Sequence, residues 1–253
     1  MQIDLKPSRP SPLPKILLTL VILILAGGFA LRFLIPRIAY GSNARLASIG
    51  TWFADPSAHP EWWINVNTTC GAAPMLIPTT GFIGVGYNDS FRPGHHHTGY
   101  DIFSPDGAEN VTPILAAYDG YLTREGDWRS AVIIRHPDFP TFPGAPAGVP
   151  GNQIWTYYTH MASADGTVSY ISPAFPAGTH DVFVKAGTLL GYQGTWSGDP
   201  SNPTGLHLHF SVVKSNPDGS YMNETDIANT YDPAPFIGVT LDEEGFLLCR
   251  TEP

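Results

Sequence analysis

Hydrophobic positions first mass together and then scatter along this chain. From Ile16 to Leu31 they run unbroken as "ILLTLVILILAGGFAL", and Arg32 is followed by "FLI". Sixteen helical residues span about 24 Å. Counting through Ile35 reaches about 30 Å, the thickness of a hydrocarbon core, with Arg32 snorkelling toward the headgroups. A run apolar on every side predicts a transmembrane anchor over 15–36, behind a short cytoplasmic tail at 1–14. The small residues "GFA" at 28–30 also suit cleavage of a signal peptide. Either outcome exports the body of the chain. Positive charges flank both ends of the run, so they do not by themselves set its orientation.

Beyond the run the pattern changes. Residues 37–70, including "ADPSAHPEWW", show no sustained period and read as a linker and lead-in. From Ile77 onward, short β-rich runs recur between turn signals: "ILAAYDGYLTR" (114–124), "AVIIRH" (131–136), "IWTYYTHMA" (154–162), "DVFVKAGTLLGYQG" (181–194), "LHLHFSVV" (206–213) and "FIGVTLDEEGFLLC" (236–249). Residues 137–152 carry five prolines and predict a surface excursion between two strands. One short helix is expected around "NETDIAN". The fold class is therefore mainly β, one antiparallel domain over 71–253.

Composition agrees: 26 Gly and 25 Pro favour short strands and turns, and 12% aromatic residues supply a core. Charge changes the picture more. Residues 1–45 hold six Lys or Arg against Asp4, whereas the rest holds seven against twenty-one Asp or Glu. An acidic body without a basic patch argues against a nucleic-acid partner, and the basic head argues for an anionic membrane. The two cysteines, Cys70 and Cys249, bracket the exported part. In an oxidising compartment they would bridge its ends; otherwise they are two buried thiols. Neither has a partner at zinc-ligand spacing.

Candidate chemistry lies in the histidines. In "LHLHFSVV" a period of two puts Leu206, Leu208, Phe210 and Val212 on a core face and His207, His209 and Ser211 on the other. In "RPGHHHTGYDIF" His97 and Asp101 stand four apart. An ideal strand would hold their Cα atoms about 13 Å apart, too far for one ion. The chain must therefore bend or begin at His97, and Gly99 is expected to leave room for a metal. His95 and His96 read as rim residues. His160 ends a strand on whose face alternation also places Ile154, Thr156 and Tyr158.

Five blocks in order, "HTGYD" (97–101), "TPILAAYDGYLT" (112–123), "YYTHMAS" (157–163), "VKAGTLLGYQGTWSG" (184–198) and "TGLHLHFSV" (204–212), with a trailing "DPAPFI" (232–237), resemble the lysostaphin-type (LytM-like) zinc metalloendopeptidases, which cut peptides of bacterial peptidoglycan. The resemblance covers about residues 77–238. It implies the antiparallel β-sheet domain of that family, a duplicated hybrid motif-like fold. It implies one Zn2+ per chain held by His97, Asp101 and His209, with His160 and His207 catalytic. It implies a peptidoglycan peptide as substrate; the apolar head, for its part, predicts a single-pass protein of the bacterial cell membrane with its catalytic domain outside the cell, or a secreted one if the head is cleaved. His136 is expected to be structural, and His59 and His180 carry no role. One departure stands out: a tyrosine that related enzymes can carry six residues before the first ligand is Phe91 here, with Tyr87 a candidate substitute. Two other readings fit the same residues: a non-catalytic wall-binding or scaffold module, and an exported zinc peptidase acting on proteins.

Overall fold

Runs of branched and aromatic residues form the strands of an antiparallel sheet. The computed structural model describes residues 44–90, 94–142, 145 and 153–249. The expected membrane segment, Phe91 and most of the proline-rich stretch lie outside them. Among the described residues no helix is long and apolar enough to cross a membrane.

The elements in chain order are α1 (Ala44–Ala54), β1 (Trp63–Ile64), β2 (Gly81–Val85), β3 (Tyr100–Phe103), β4 (Pro113–Leu115), β5 (Gly120–Arg124), β6 (Val132–His136), β7 (Ile154–Thr159), β8 (Thr179–Val184), β9 (Leu189–Tyr192), β10 (His207–Val213), β11 (Thr230–Tyr231), α2 (Ala234–Ile237), β12 (Thr240–Leu241) and β13 (Leu247–Leu248). The main sheet runs β1-β2-β3-β10-β7-β6-β5-β8, with β11 added beside β10, while β4–β9 and β12–β13 pair separately. Every pairing is antiparallel.

The sheet centre is built from aligned rows. Tyr100, Phe210 and Tyr158 lie opposite one another across β3, β10 and β7, as do Asp101, His209 and Thr159 one position along. Because alternate residues face opposite sides, the first row faces the core and the second faces away. Tyr100, Tyr158 and Phe210 are buried, with Leu208 and Val212 beside them. Each such apolar side chain stabilises by about 1.5–3 kcal/mol. The phenol ends are satisfied: Tyr158 accepts the Ala117 amide at 2.9 Å, and Tyr100 donates to Asp232 at 2.7 Å. Asp232 also accepts the Ala234 amide, so the trailing "DPAPFI" turns the chain and ties β3 to it.

Several expectations are corrected. Part of the stretch expected as a linker and lead-in, 37–70, is built into the body. Leu46, Ile49 and Trp52, three apart on α1, put one face of the helix onto Phe82 and Phe246, with Trp52 fully buried. "ADPSAHPEWW" becomes two 3-10 turns, Pro56–Ala58 and Pro60–Trp62, each opening on a proline. Around "NETDIAN" only a single 3-10 turn forms, Ile227–Asn229, its amide capped by Asp226. The Asn223 and Asp226 side chains there accept local backbone amides in preference to a helix. The expected strand from 236 starts instead as α2, which Gly238 ends at φ 76°.

Cys70 and Cys249 are bridged, with Cα atoms 5.3 Å apart and 179 residues between them. The bond closes nearly the whole body into one loop. In the chain-entropy picture a loop of that length stabilises by about 5 kcal/mol. Reducing the bridge, or a Cys70→Ser/Cys249→Ser variant, is expected to lower stability by about 2–5 kcal/mol, read as a lower denaturant midpoint.

Candidate metal centre

The row facing away from the core carries the chemistry. β10 contributes His207 and His209, and β3 contributes Asp101 directly opposite His209. His97 precedes β3, so the chain bends there, as the spacing requires. Gly99 has a different role from the one expected. It leaves no room for a metal; a Cβ there would collide with the Phe210 carbonyl and the Ser211 hydroxyl. Its bare backbone lets the 97–101 segment lie against β10, and this contact swings His97 over Asp101.

Three atoms then converge. His97 Nε2 lies 3.0 Å from Asp101 Oδ1 and 3.0 Å from His209 Nδ1, and the last two are 2.9 Å apart. The outward nitrogens orient both rings. His97 Nδ1 donates to the Gly86 carbonyl at 3.0 Å, an acceptor only, so its Nε2 turns a lone pair inward. His209 Nε2 bonds Ser211 Oγ at 2.9 Å, which orients the ring with Nδ1 inward; where the hydroxyl accepts, Nδ1 also carries its lone pair. With His209 in that tautomer, two lone pairs and a buried carboxylate point at one spot with no donor among them. Such convergence is unfavourable unless a positive charge sits there. A tetrahedral zinc with bonds of about 2.0–2.1 Å needs ligand atoms roughly 3.3 Å apart, close to the spacing found. The donor set fits zinc, and His97, Asp101 and His209 are the group of described residues that could hold an ion.

Electrostatics follow the same geometry. Burial opposes ionisation of Asp101, yet His97 and His207 hold its carboxyl well below the usual range. Burial would lower the His97 imidazole, but Asp101 turns the balance upward. For His209 burial prevails and the shift is downward.

His207 and His160 flank the cluster, with ring centroids 4.4 Å apart. His207 Nδ1 donates to the Gly205 carbonyl at 2.6 Å, and its Nε2 lies 3.3 Å from Asp101 Oδ1. The placement of His160 corrects the expected alternation. Simple parity puts it with Tyr158, on the core face. Instead His160 has φ +74°, left-handed backbone that a non-glycine side chain seldom adopts, and this turns its ring to the metal face. Its Nδ1 donates to the Trp196 carbonyl at 2.6 Å, leaving the Nε2 lone pair toward the cleft. Burial, with His207 and His209 nearby, pushes this imidazole down to about 3.

Trp196 is held in turn by Gly166, which has φ +68° and would bring a Cβ within 2.8 Å of the indole ring. Gly166→Ala is expected to displace Trp196 and the carbonyl that orients His160. Misplacement of that kind lowers kcat by roughly 10–100-fold. Zinc content should stay at the parent level, which metal analysis alongside kinetics would check.

Other histidines are placed elsewhere. His95 and His96 line the rim of the cleft, and His96 bonds Asn88. His136 is buried between the Asp119 carbonyl and Thr156, a structural position. His59 stacks on Trp62, and His180 sits beside Glu125. Tyr87 is no substitute for a cleft hydroxyl, because its hydroxyl is taken by the Ile227 and Thr230 carbonyls. Sequence reasoning missed Tyr157 and Glu224, which line the cleft beside the ligands. Tyr157 lies across from Ser211, its ring 6.2 Å from His209, and burial raises its phenol to about 12, so it stays protonated. Strand parity put Tyr157 opposite Tyr158, but only cross-strand register shows that it shares a face with His209.

No family model and no curated protein matches the sequence. Solved structures do show similarity. The catalytic domain of lysostaphin from Staphylococcus simulans is 19% identical over 68% of this chain and 90% of that one, with a TM-score of 0.36. The LytM protein of Ruminococcus gnavus is 20% identical over 55% of this chain and 45% of that one, with a TM-score of 0.35. The catalytic domain of the prophage-encoded M23 protein EnpA of Enterococcus faecalis is 25% identical over 56% and 87%, with a TM-score of 0.33. This chain therefore spans less than half the length of the LytM protein. With its motif blocks in the family's order and their side chains meeting on one sheet face, the chain resembles the lysostaphin-type (LytM-like) peptidases.

Proposed function

We propose that this protein is a zinc-dependent endopeptidase that hydrolyses peptide bonds of bacterial peptidoglycan, with its N-terminal segment anchoring it to the cell membrane. The observation that supports this best is the convergence of three potential ligand atoms, His97 Nε2, Asp101 Oδ1 and His209 Nδ1, on one spot in a cleft of about 920 Å³. When bound there, zinc supplies Lewis-acid chemistry, polarising a carbonyl and making water nucleophilic near neutral pH.

The chain's own side chains do the rest. His160 and His207 both turn Nε2 toward the cluster, because backbone carbonyls occupy both Nδ1–H groups. In those tautomers neither ring can donate to an oxyanion until it has taken up a proton. One histidine therefore accepts the proton of the attacking water at Nε2, and then, as imidazolium, delivers it to the leaving amine. Tyr157 and Thr159 wall the same cleft beside them.

The test is incubation of the full chain, in detergent and with zinc, with purified peptidoglycan and separately with a denatured protein. Mass analysis of released fragments is expected to show new amino termini in wall peptides, abolished by a chelator and restored by zinc. Wall binding without release would mark a scaffold, and cleavage of the denatured protein alone would mark a protein-directed peptidase; either contradicts the proposal.

A further inference from the structure

The support behind the metal ligands leads out of the sheet and into α1. His97 is held by a turn after β2, Gly86 to Asp89, which the Asp89 amide closes on the Gly86 carbonyl at 3.2 Å. That carbonyl also accepts His97 Nδ1–H at 3.0 Å. The Asp89 carbonyl accepts the His97 amide at 3.0 Å, and the His97 carbonyl accepts the Asn88 amide at 2.8 Å. The position of this ligand is therefore the position of the turn. Asp89 Oδ2 pins the turn by accepting the Gly86 amide at 2.6 Å and Arg45 Nη2 at 2.9 Å. Arg45 is buried at the start of α1, and its Nη1 donates to the Gly245 carbonyl at 2.7 Å. The planar fork serves both acceptors at once. Gly86 is bare where Arg45 approaches, since a Cβ there would lie 2.7 Å from Nη2. Removing one partner of a buried ion pair strands the other charge, so the turn must shift when Arg45 is lost.

The far end of α1 reaches the other half of the site. Trp52, seven residues on and so on the same helix face, donates Nε1–H to the Ser104 carbonyl at 3.1 Å. The Ser104 amide in turn bonds the Leu206 carbonyl, one residue before His207. Phe53 packs edge-on against Phe103 with centroids 5.1 Å apart, and the Phe103 ring lies 5.1 Å from that of His207. Gly205, whose carbonyl orients His207, is bare where a Cβ would come within 2.8 Å of Phe53. One helix thus backs both a zinc ligand and a proton carrier. Along the sequence, seven residues (37–43) separate it from the expected membrane segment.

We propose, resting on the reading of a zinc centre given above, that α1 is a positioning element of that centre with two arms. Arg45 is a positioning residue that sets His97 through Asp89 and the Gly86 carbonyl, and Phe53 backs His207 through Phe103 and Gly205. Lifting α1 from the body lowers zinc affinity and turnover together.

The arms have separate readouts on the full chain in detergent. Arg45→Met is expected to weaken zinc binding by about 10–100-fold, the usual cost of losing a ligand's outer support, as measured against a chromogenic chelator. Arg45→Lys, which keeps a charge opposite Asp89 without the fork, is expected to fall between that variant and the parent. Gly86→Ala displaces the guanidinium from the other side and is expected to weaken zinc binding as Arg45→Met does. Phe53→Ala is expected to keep the parent's zinc affinity and lower kcat by roughly tenfold. Lower melting temperatures with parent zinc affinity in Arg45→Met and Gly86→Ala would mark a merely structural helix and overturn the proposal. Zinc loss in Phe53→Ala equal to that in Arg45→Met would overturn it as well. If Arg45→Met does not fold, Gly86→Ala carries the test. If zinc binds but no peptide is cut, the peptidase reading falls and the zinc affinities still decide the Arg45 arm. If the parent binds no zinc, the reading of the centre falls, and proton exchange at His97 Nδ1–H, followed by nuclear magnetic resonance, decides the link. Faster exchange with solvent in Gly86→Ala supports it, and exchange at the parent's rate overturns it.

Discussion

His209→Ala is expected to release the zinc and with it all measurable hydrolysis. His209 Nδ1 sits 2.9 Å from Asp101 Oδ1 and 3.0 Å from His97 Nε2, so its loss leaves two ligand atoms where three converged. Removal of an outer partner of a ligand costs about 10–100-fold in metal affinity. Loss of the ligand itself should exceed that, while Ser211→Ala, which only frees the far nitrogen of His209, should fall within it. Stability gives a readout independent of activity. A metal that binds only the folded state stabilises it by about 2.7 kcal/mol at one hundred times its dissociation constant. Zinc should therefore raise the melting temperature of the parent and leave that of His209→Ala unmoved. A variant that binds one equivalent as tightly as the parent would show that the ligand assignment is wrong.

His160→Ala and His207→Ala should separate chemistry from metal binding. Each is expected to lower the hydrolytic rate by roughly 10²–10⁴, the usual contribution of a positioned proton carrier. Each should keep its zinc, since neither belongs to the converging triad. The two losses should not add. The rings are 4.4 Å apart and serve one proton path, so the double variant should be little worse than the more damaged single variant. If both singles hydrolyse at the parent rate with zinc in place, the proton-transfer roles fail.

The histidines of the site could be read from the chain because their spacing is local. Alternation over 206–213 separates Leu208, Phe210 and Val212 from His207, His209 and Ser211, and the sheet keeps that division. Two features resist a local reading. His160 escapes alternation through one left-handed residue, whose ring is anchored to the carbonyl of Trp196, thirty-six positions away. Gly99 is small for the sake of a neighbouring strand, and nothing in "HTGYD" announces which strand that is. Glu224 reaches the cleft from a loop whose course depends on tertiary contacts. For α1, a hydrophobic face of only three residues, Leu46, Ile49 and Trp52, was too short to stand out from an aromatic, proline-broken stretch.

X-ray absorption at the zinc edge, on the full chain titrated with metal, tests the central claim most directly. The expected result is saturation at one ion per chain, with a first shell of two imidazole nitrogens, one carboxylate oxygen and one exchangeable solvent oxygen. No saturable binding, or an unaltered spectrum from a His97→Ala/His209→Ala double variant, would contradict it.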